Sequence, residues 1–79
     1  MITSRQVRAA RALLGWTQEM LADKALVALT ALKRLESEND LPVRDETRHQ
    51  VVKALEAAGI EFVDSDRRHG VLLAGNSHK

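Results

Sequence analysis

Seventy-nine residues make one small domain, of a size that buries only about 60% of its unfolded surface and gains from association with a second chain. The chain has no cysteine, which excludes a disulfide framework or thiolate metal site, and no apolar run approaches the roughly 20 residues of a membrane span. The net charge of +1 conceals an asymmetry, because residues 1–34 carry six basic groups against two acidic ones and residues 35–79 carry six against nine. No signal-peptide pattern opens the sequence, so the cytoplasm is the expected location.

The elements follow in chain order. Thr3-Ser4-Arg5-Gln6 is the pattern of a capping box, in which a hydroxyl and a side-chain amide satisfy orphan backbone amides reciprocally. Val7, Ala10 and Leu14 then recur at helical spacing, and Gly15 supplies a left-handed stop. Arg5, Arg8 and Arg11 fall three apart along one side of this helix. Trp16, the one tryptophan, stands at a helix junction and reads as a packing anchor. Thr17 caps a second helix over about Gln18 to Ala25, with Leu21, Ala22 and Ala25 inward.

A third helix is expected from about Ala28 to Ser37, with Leu32 and Leu35 inward. Asn39-Asp40-Leu41-Pro42 is a loop. A fourth helix follows from about Asp45 to Ala58, with Val51, Val52, Leu55 and Ala58 as its apolar stripe and Gly59 at its end. Two short β-type runs, Ile60 to Val63 and Val71 to Leu73, flank the polar stretch Asp64 to Gly70, which suits a hairpin loop. Residues 1–75 therefore form the folded domain, and residues 76–79 are expected to be a disordered tail.

The run from Arg8 to Gln18, Arg-Ala-Ala-Arg-Ala-Leu-Leu-Gly-Trp-Thr-Gln, with Leu21-Ala22 and Leu35-Glu36 after it, resembles the Xre/Cro-type helix-turn-helix regulators. Ala54-Leu55-Glu56-Ala57-Ala58-Gly59-Ile60-Glu61-Phe62 is similar to the C-terminal part of single-domain bacterial members. The resemblance implies a mainly α fold: a compact four-helix Cro/repressor-like domain with a short C-terminal β-hairpin. It also implies a dimeric, sequence-specific DNA-binding regulator on a (pseudo)palindromic operator, with residues 28–37 as the helix in the major groove.

Carried over by position, Thr17 and Gln18 would touch phosphate, and Ala28, Leu29, Thr30, Lys33 and Arg34 would face the bases. Arginine suits a bidentate contact with guanine, and Ala28 and Leu29 offer only apolar contact to thymine methyls. Asn39 and Arg44 are expected backbone contacts.

Three positions depart from the family pattern. Leu26 stands where members usually carry glycine in the turn between the second and third helices, and leucine enters the left-handed region at a cost of about 1 kcal/mol or more. Ala28 replaces the usual hydroxyl cap of the third helix, a loss of about 0.5–2 kcal/mol. Arg48 stands where a core leucine is common. Leu21, Ala25, Leu29, Leu32 and Leu35 would also line one side of a single continuous helix. The two-helix arrangement is nevertheless expected, because Leu32 and Leu35 must be buried against the first helix; the turn is left-handed at Leu26 or has other dihedrals.

A helix presenting Leu26, Ala28 and Leu29 is an apolar surface that a protein partner could use, as in an antagonist or antitoxin built on the same fold. An enzyme is not expected: His49, His69 and His78 show no metal-ligand spacing, and Asp64, Asp66 and His69 would share a mobile loop. No cofactor or metal is implied. A homodimer is expected through the strand residues Ile60, Phe62, Val63, Val71, Leu72 and Leu73, whose edges invite β-pairing.

Overall fold

The computed structural model describes residues 2–39 and 41–75, and the tail expected to be disordered lies outside them. Four helices precede a two-stranded sheet: α1 Ser4–Leu14, α2 Gln18–Ala25, α3 Leu29–Leu35, α4 Asp45–Ala57, β1 Ile60–Asp64 and β2 His69–Leu73. The fold is the expected mainly α domain with a C-terminal hairpin.

The capping box of α1 forms as the sequence predicts. The Gln6 amide donates to Thr3 Oγ1 at 3.2 Å, and the Thr3 amide donates to Gln6 Oε1 at 2.8 Å. Two consecutive connections then repeat one design. Gly15 closes α1 at φ 70°, with the amide of Trp16 reaching back to the Arg11 carbonyl at 3.0 Å. Leu26 closes α2 at φ 58°, with the amide of Val27 reaching back to the Ala22 carbonyl at 3.0 Å. In each case a left-handed residue is followed by an apolar one that packs on the core, Trp16 or Val27, and then by the extended residue that begins the next helix, Thr17 or Ala28. The left-handed turn is thus made by leucine, and α2 and α3 are separate helices.

α3 is shorter than expected, and Ala28 gives it no side-chain cap. Packing holds it instead. Leu32 and Leu35 join Val7, Ala10, Leu21, Ala22, Ala25, Val51, Leu55 and Ile60 in one buried cluster. Each buried Leu contributes about 1.5–3 kcal/mol of transfer free energy, so Leu32 and Leu35 together outweigh the missing cap. The apolar stripe of α4 narrows to Val51 and Leu55 as its buried residues.

The hairpin is longer than the sequence reading. Ile60 pairs with Leu73, Glu61 with Leu72, Phe62 with Val71, Val63 with Gly70 and Asp64 with His69, so only residues 65–68 are left as the loop. Asp64 and His69, expected in that loop, face each other across its base at 2.7 Å. β2 lies along α1 and β1 against α4. The pin is Gln6, only 2% exposed, whose Nε2 donates to the carbonyls of both Val63 and Gly70 at 3.0 Å. One side chain therefore caps α1 and fastens it to both strands, which matters because an isolated two-stranded hairpin is marginal in water.

Among the residues expected at a dimer contact, alternation along the strands puts Val63 and Leu72 on the outer face. Ile60, Phe62, Val71 and Leu73 lie on the other, where Leu73 is exposed at the strand end. Ile60 is 2% exposed and belongs to the core, so it is not available to a partner. Phe62 and Val71 are half-buried against the same core, whereas Val63, Leu72 and Leu73 are exposed.

Arg48 lies on α4 in the place expected to depart from the family pattern. Its Nε is buried without a hydrogen-bond partner, and its Nη1 comes no nearer than 3.8 Å to Asp45. It lines a small cavity with Ile2, Leu35 and Val43.

Leu26 generates a stability prediction. Its side chain is 83% exposed, so Leu26→Gly removes backbone strain and almost no packing. The variant is expected to be about 1 kcal/mol more stable, a rise of about 4–8 °C in Tm for a domain of this size. Thermal denaturation measures it, and an unchanged or lowered Tm would show that the turn is not strained.

Candidate nucleic-acid interface

The interface is assembled around a buried fork. Arg11 of α1 donates from Nε to Glu36 Oε2 at 2.8 Å and from Nη2 to Glu36 Oε1 at 2.9 Å. Its Nη1 donates to the Trp16 carbonyl at 3.1 Å, and Gln18 Nε2 adds a bond to Glu36 Oε1 at 3.0 Å. Glu36 directly follows α3, and its side chain is only 2% exposed. A bidentate guanidinium–carboxylate pair fixes geometry as well as energy. Here it ties α1, the junction before α2, the first residue of α2 and the end of α3 to one another.

That arrangement revises the expected positive front. Arg11 is neutralised inside the molecule. Arg8 is held at the surface by Glu38 at 3.2 Å. Lys24 sits over the Trp16 ring, 5.1 Å from its centre. Arg5, Lys33, Arg34 and Arg44 remain exposed.

The expected site residues fall into distinct places. Ala28, Thr30 and Arg34 line one side of a groove of about 460 Å³, with Leu26 and Ala31, while Val43 and Arg44 line the other. Lys33 is exposed on α3 outside that groove. Thr17 is exposed, with its hydroxyl accepting the Met20 amide at 3.1 Å as the cap of α2. Gln18 is half-buried and bound to Glu36, so its amide nitrogen is already engaged. Asn39 is exposed, and its backbone amide donates to Ser37 Oγ at 3.1 Å.

Leu29 differs from the expectation of an exposed, base-facing residue. It is half-buried and packed against the core, because the first turn of so short a helix brings it to the same side as Leu32. The expected apolar surface from Leu26 to Leu29 is narrower for the same reason, since Val27 also packs inward. The sequence reading missed Thr47 and Gln50, which line the groove from α4. Thr47 stands one turn before Val51 on the same face of α4, with Gln50 on its flank, and both are half-buried.

Among the described residues no group of three or more His, Asp or Glu side chains could hold a metal ion, and no helix is long and apolar enough to cross a membrane.

A helix closed by a left-handed residue, a short extended connection and a second helix form a helix-turn-helix unit, beside a groove lined by Arg34 and Arg44. The comparison with protein families agrees: residues 7–42 match the helix-turn-helix family, a stretch running from within α1 through α2 and α3 to the loop before α4. The matched stretch is similar to the Xre/Cro type of that family. A search of curated proteins returned no match.

The fork yields a test of its own. Breaking a buried ion pair from one side leaves an uncompensated charge and costs about 3–5 kcal/mol. Arg11→Met is expected to lose that much in urea denaturation, and Arg11→Met with Glu36→Leu together to recover most of it. Equal losses in the single and double variants would show that the two residues do not act as a pair.

Proposed function

We propose that the protein is a sequence-specific transcription regulator that binds a (pseudo)palindromic operator as a homodimer, with α3 in the major groove. The observation that carries this reading is the groove in which Ala28, Thr30 and Arg34 of the α3 segment stand beside Arg44, with all four exposed. Arg34 is the base reader, suited to a bidentate contact with guanine O6 and N7. Thr30 and Lys33 extend the reading face, and Ala28 contributes apolar contact. Leu29 acts chiefly by seating the helix. Thr17 and the backbone amides at the start of α2 hold one phosphate, with Gln18 beside them, and Asn39 and Arg44 hold the other strand. Arg8 would join them on leaving Glu38.

The dimer contact is proposed at the exposed part of the hairpin, Val63, Leu72 and Leu73. Leu72 is 56% exposed, more than any large apolar residue of the described chain except Leu26. Two copies joined there would address half-sites about 34 Å apart.

The DNA reading is tested by fluorescence anisotropy with the DNA upstream of the gene and a scrambled duplex, at about 50 and 200 mM salt, the range over which phosphate contacts lose most affinity. The expected result is sequence-dependent binding that weakens with salt. Arg34→Ala is expected to cost about 1–3 kcal/mol and to relax preference at one base pair. Loss of affinity for all sequences alike would make Arg34 a phosphate contact instead.

The dimer is tested separately by sedimentation across the micromolar range. Wild-type protein is expected to show a concentration-dependent mass, and Leu72→Glu a monomer at every concentration. A wild-type mass that stays monomeric would remove the dimer from the proposal.

A further inference from the structure

Among the described residues, Leu26 is the one non-glycine residue with a positive φ, 58°. It is also the most exposed large apolar side chain, at 83%. Each property is uncommon alone. Together they describe a side chain that gains nothing from the core and stands on a backbone conformation that L-residues avoid. The strain supports neither packing nor a hydrogen bond of the side chain. Strained, exposed positions of this kind are concentrated where a protein meets a ligand.

Leu26 lies in the wall of the groove that holds Ala28, Thr30, Arg34 and Arg44. Two exposed arginines there suit a polyanion rather than an apolar peptide, so the occupant consistent with the charge is DNA. A leucine has no donor or acceptor with which to read a base. The major-groove edge of the base pairs offers one apolar group, the C5-methyl of thymine. Building on the DNA-binding reading above, we propose that Leu26 is a specificity-determining residue that contacts a thymine methyl group, so that each half-site carries an A·T pair beside the base pair read by Arg34. Ala28, exposed and equally without a donor, extends the same apolar contact.

The experiment replaces thymine by uracil, which deletes the methyl group and leaves the hydrogen-bonding edge intact. A preferred duplex is first selected from a randomised pool with the wild-type protein. Each thymine of that duplex is then replaced singly by deoxyuridine, and wild type, Leu26→Gly and Leu26→Ala are titrated. Leu26→Ala retains the left-handed backbone without the long side chain, and Leu26→Gly relieves the backbone too.

Wild type is expected to lose about threefold to tenfold in affinity at one or two thymines of each half-site. Both variants are expected to bind thymine and uracil duplexes equally at those positions. A wild-type protein indifferent to every replacement, or variants that lose as much as wild type does, would overturn the assignment to Leu26 while leaving the DNA-binding reading in place. A pool from which no sequence is enriched would overturn both.

Discussion

The bidentate contact between Arg11 and Glu36 is the constraint on which the geometry of the helical unit rests. α2 and α3 are short, eight and seven residues, and helices of that length are not stable in isolation. What places them is the core on one side and this fork on the other. Because Gln18 and the Trp16 carbonyl share the same two side chains, the start of α2 and the end of α3 cannot drift apart without exposing a carboxylate that lies almost wholly out of water. Packing alone tolerates sliding of short helices. A planar fork that meets its carboxylate through two nitrogens does not.

The same contact takes one cation of the N-terminal half out of the recognition surface. Of the six basic groups in residues 1–34, one holds helices together and another is paired with Glu38. Arg34 and Arg44 remain exposed in the lining of a groove whose other residues are apolar or uncharged. Recognition on such a surface depends on shape and on a few well-aimed groups more than on bulk attraction.

Much of the fold was legible because its signals are local. The Thr3–Gln6 box, the Gly15 stop and the Thr17 cap are each read within four residues, and each forms as its chemistry dictates. The boundaries of α2 were legible for the same reason. At Leu26 the cost of a left-handed leucine was legible, and two helices were expected from the burial of Leu32 and Leu35, but the dihedrals of the turn were not. What could not be read was pairing across long separations. Arg11 and Glu36 are 25 residues apart, and Gln6 bonds to residues 57 and 64 positions away. Nothing in the neighbourhood of Arg11 distinguishes it from Arg5 or Arg8 on the same helix. The inward turn of Leu29 and the burial of Ile60 were hidden likewise, since both depend on where a neighbouring element comes to rest. For the candidate site, Ala28, Thr30, Arg34 and Arg44 were named from the sequence and share one groove, while Thr47 and Gln50 emerge only once α4 is placed beside α3.

The missing cap of α3 has a kinetic meaning. A helix of seven residues that begins at alanine, with no side chain bonded to its first amides, has no reason to form ahead of the molecule that surrounds it. It contributes nothing to nucleation and depends wholly on the burial of Leu32 and Leu35. Its first amides, without a side-chain acceptor, are open to local fraying, while its end is held by the core. The candidate base-reading side chains thus stand on a helix that owes its place to the core and not to its own sequence.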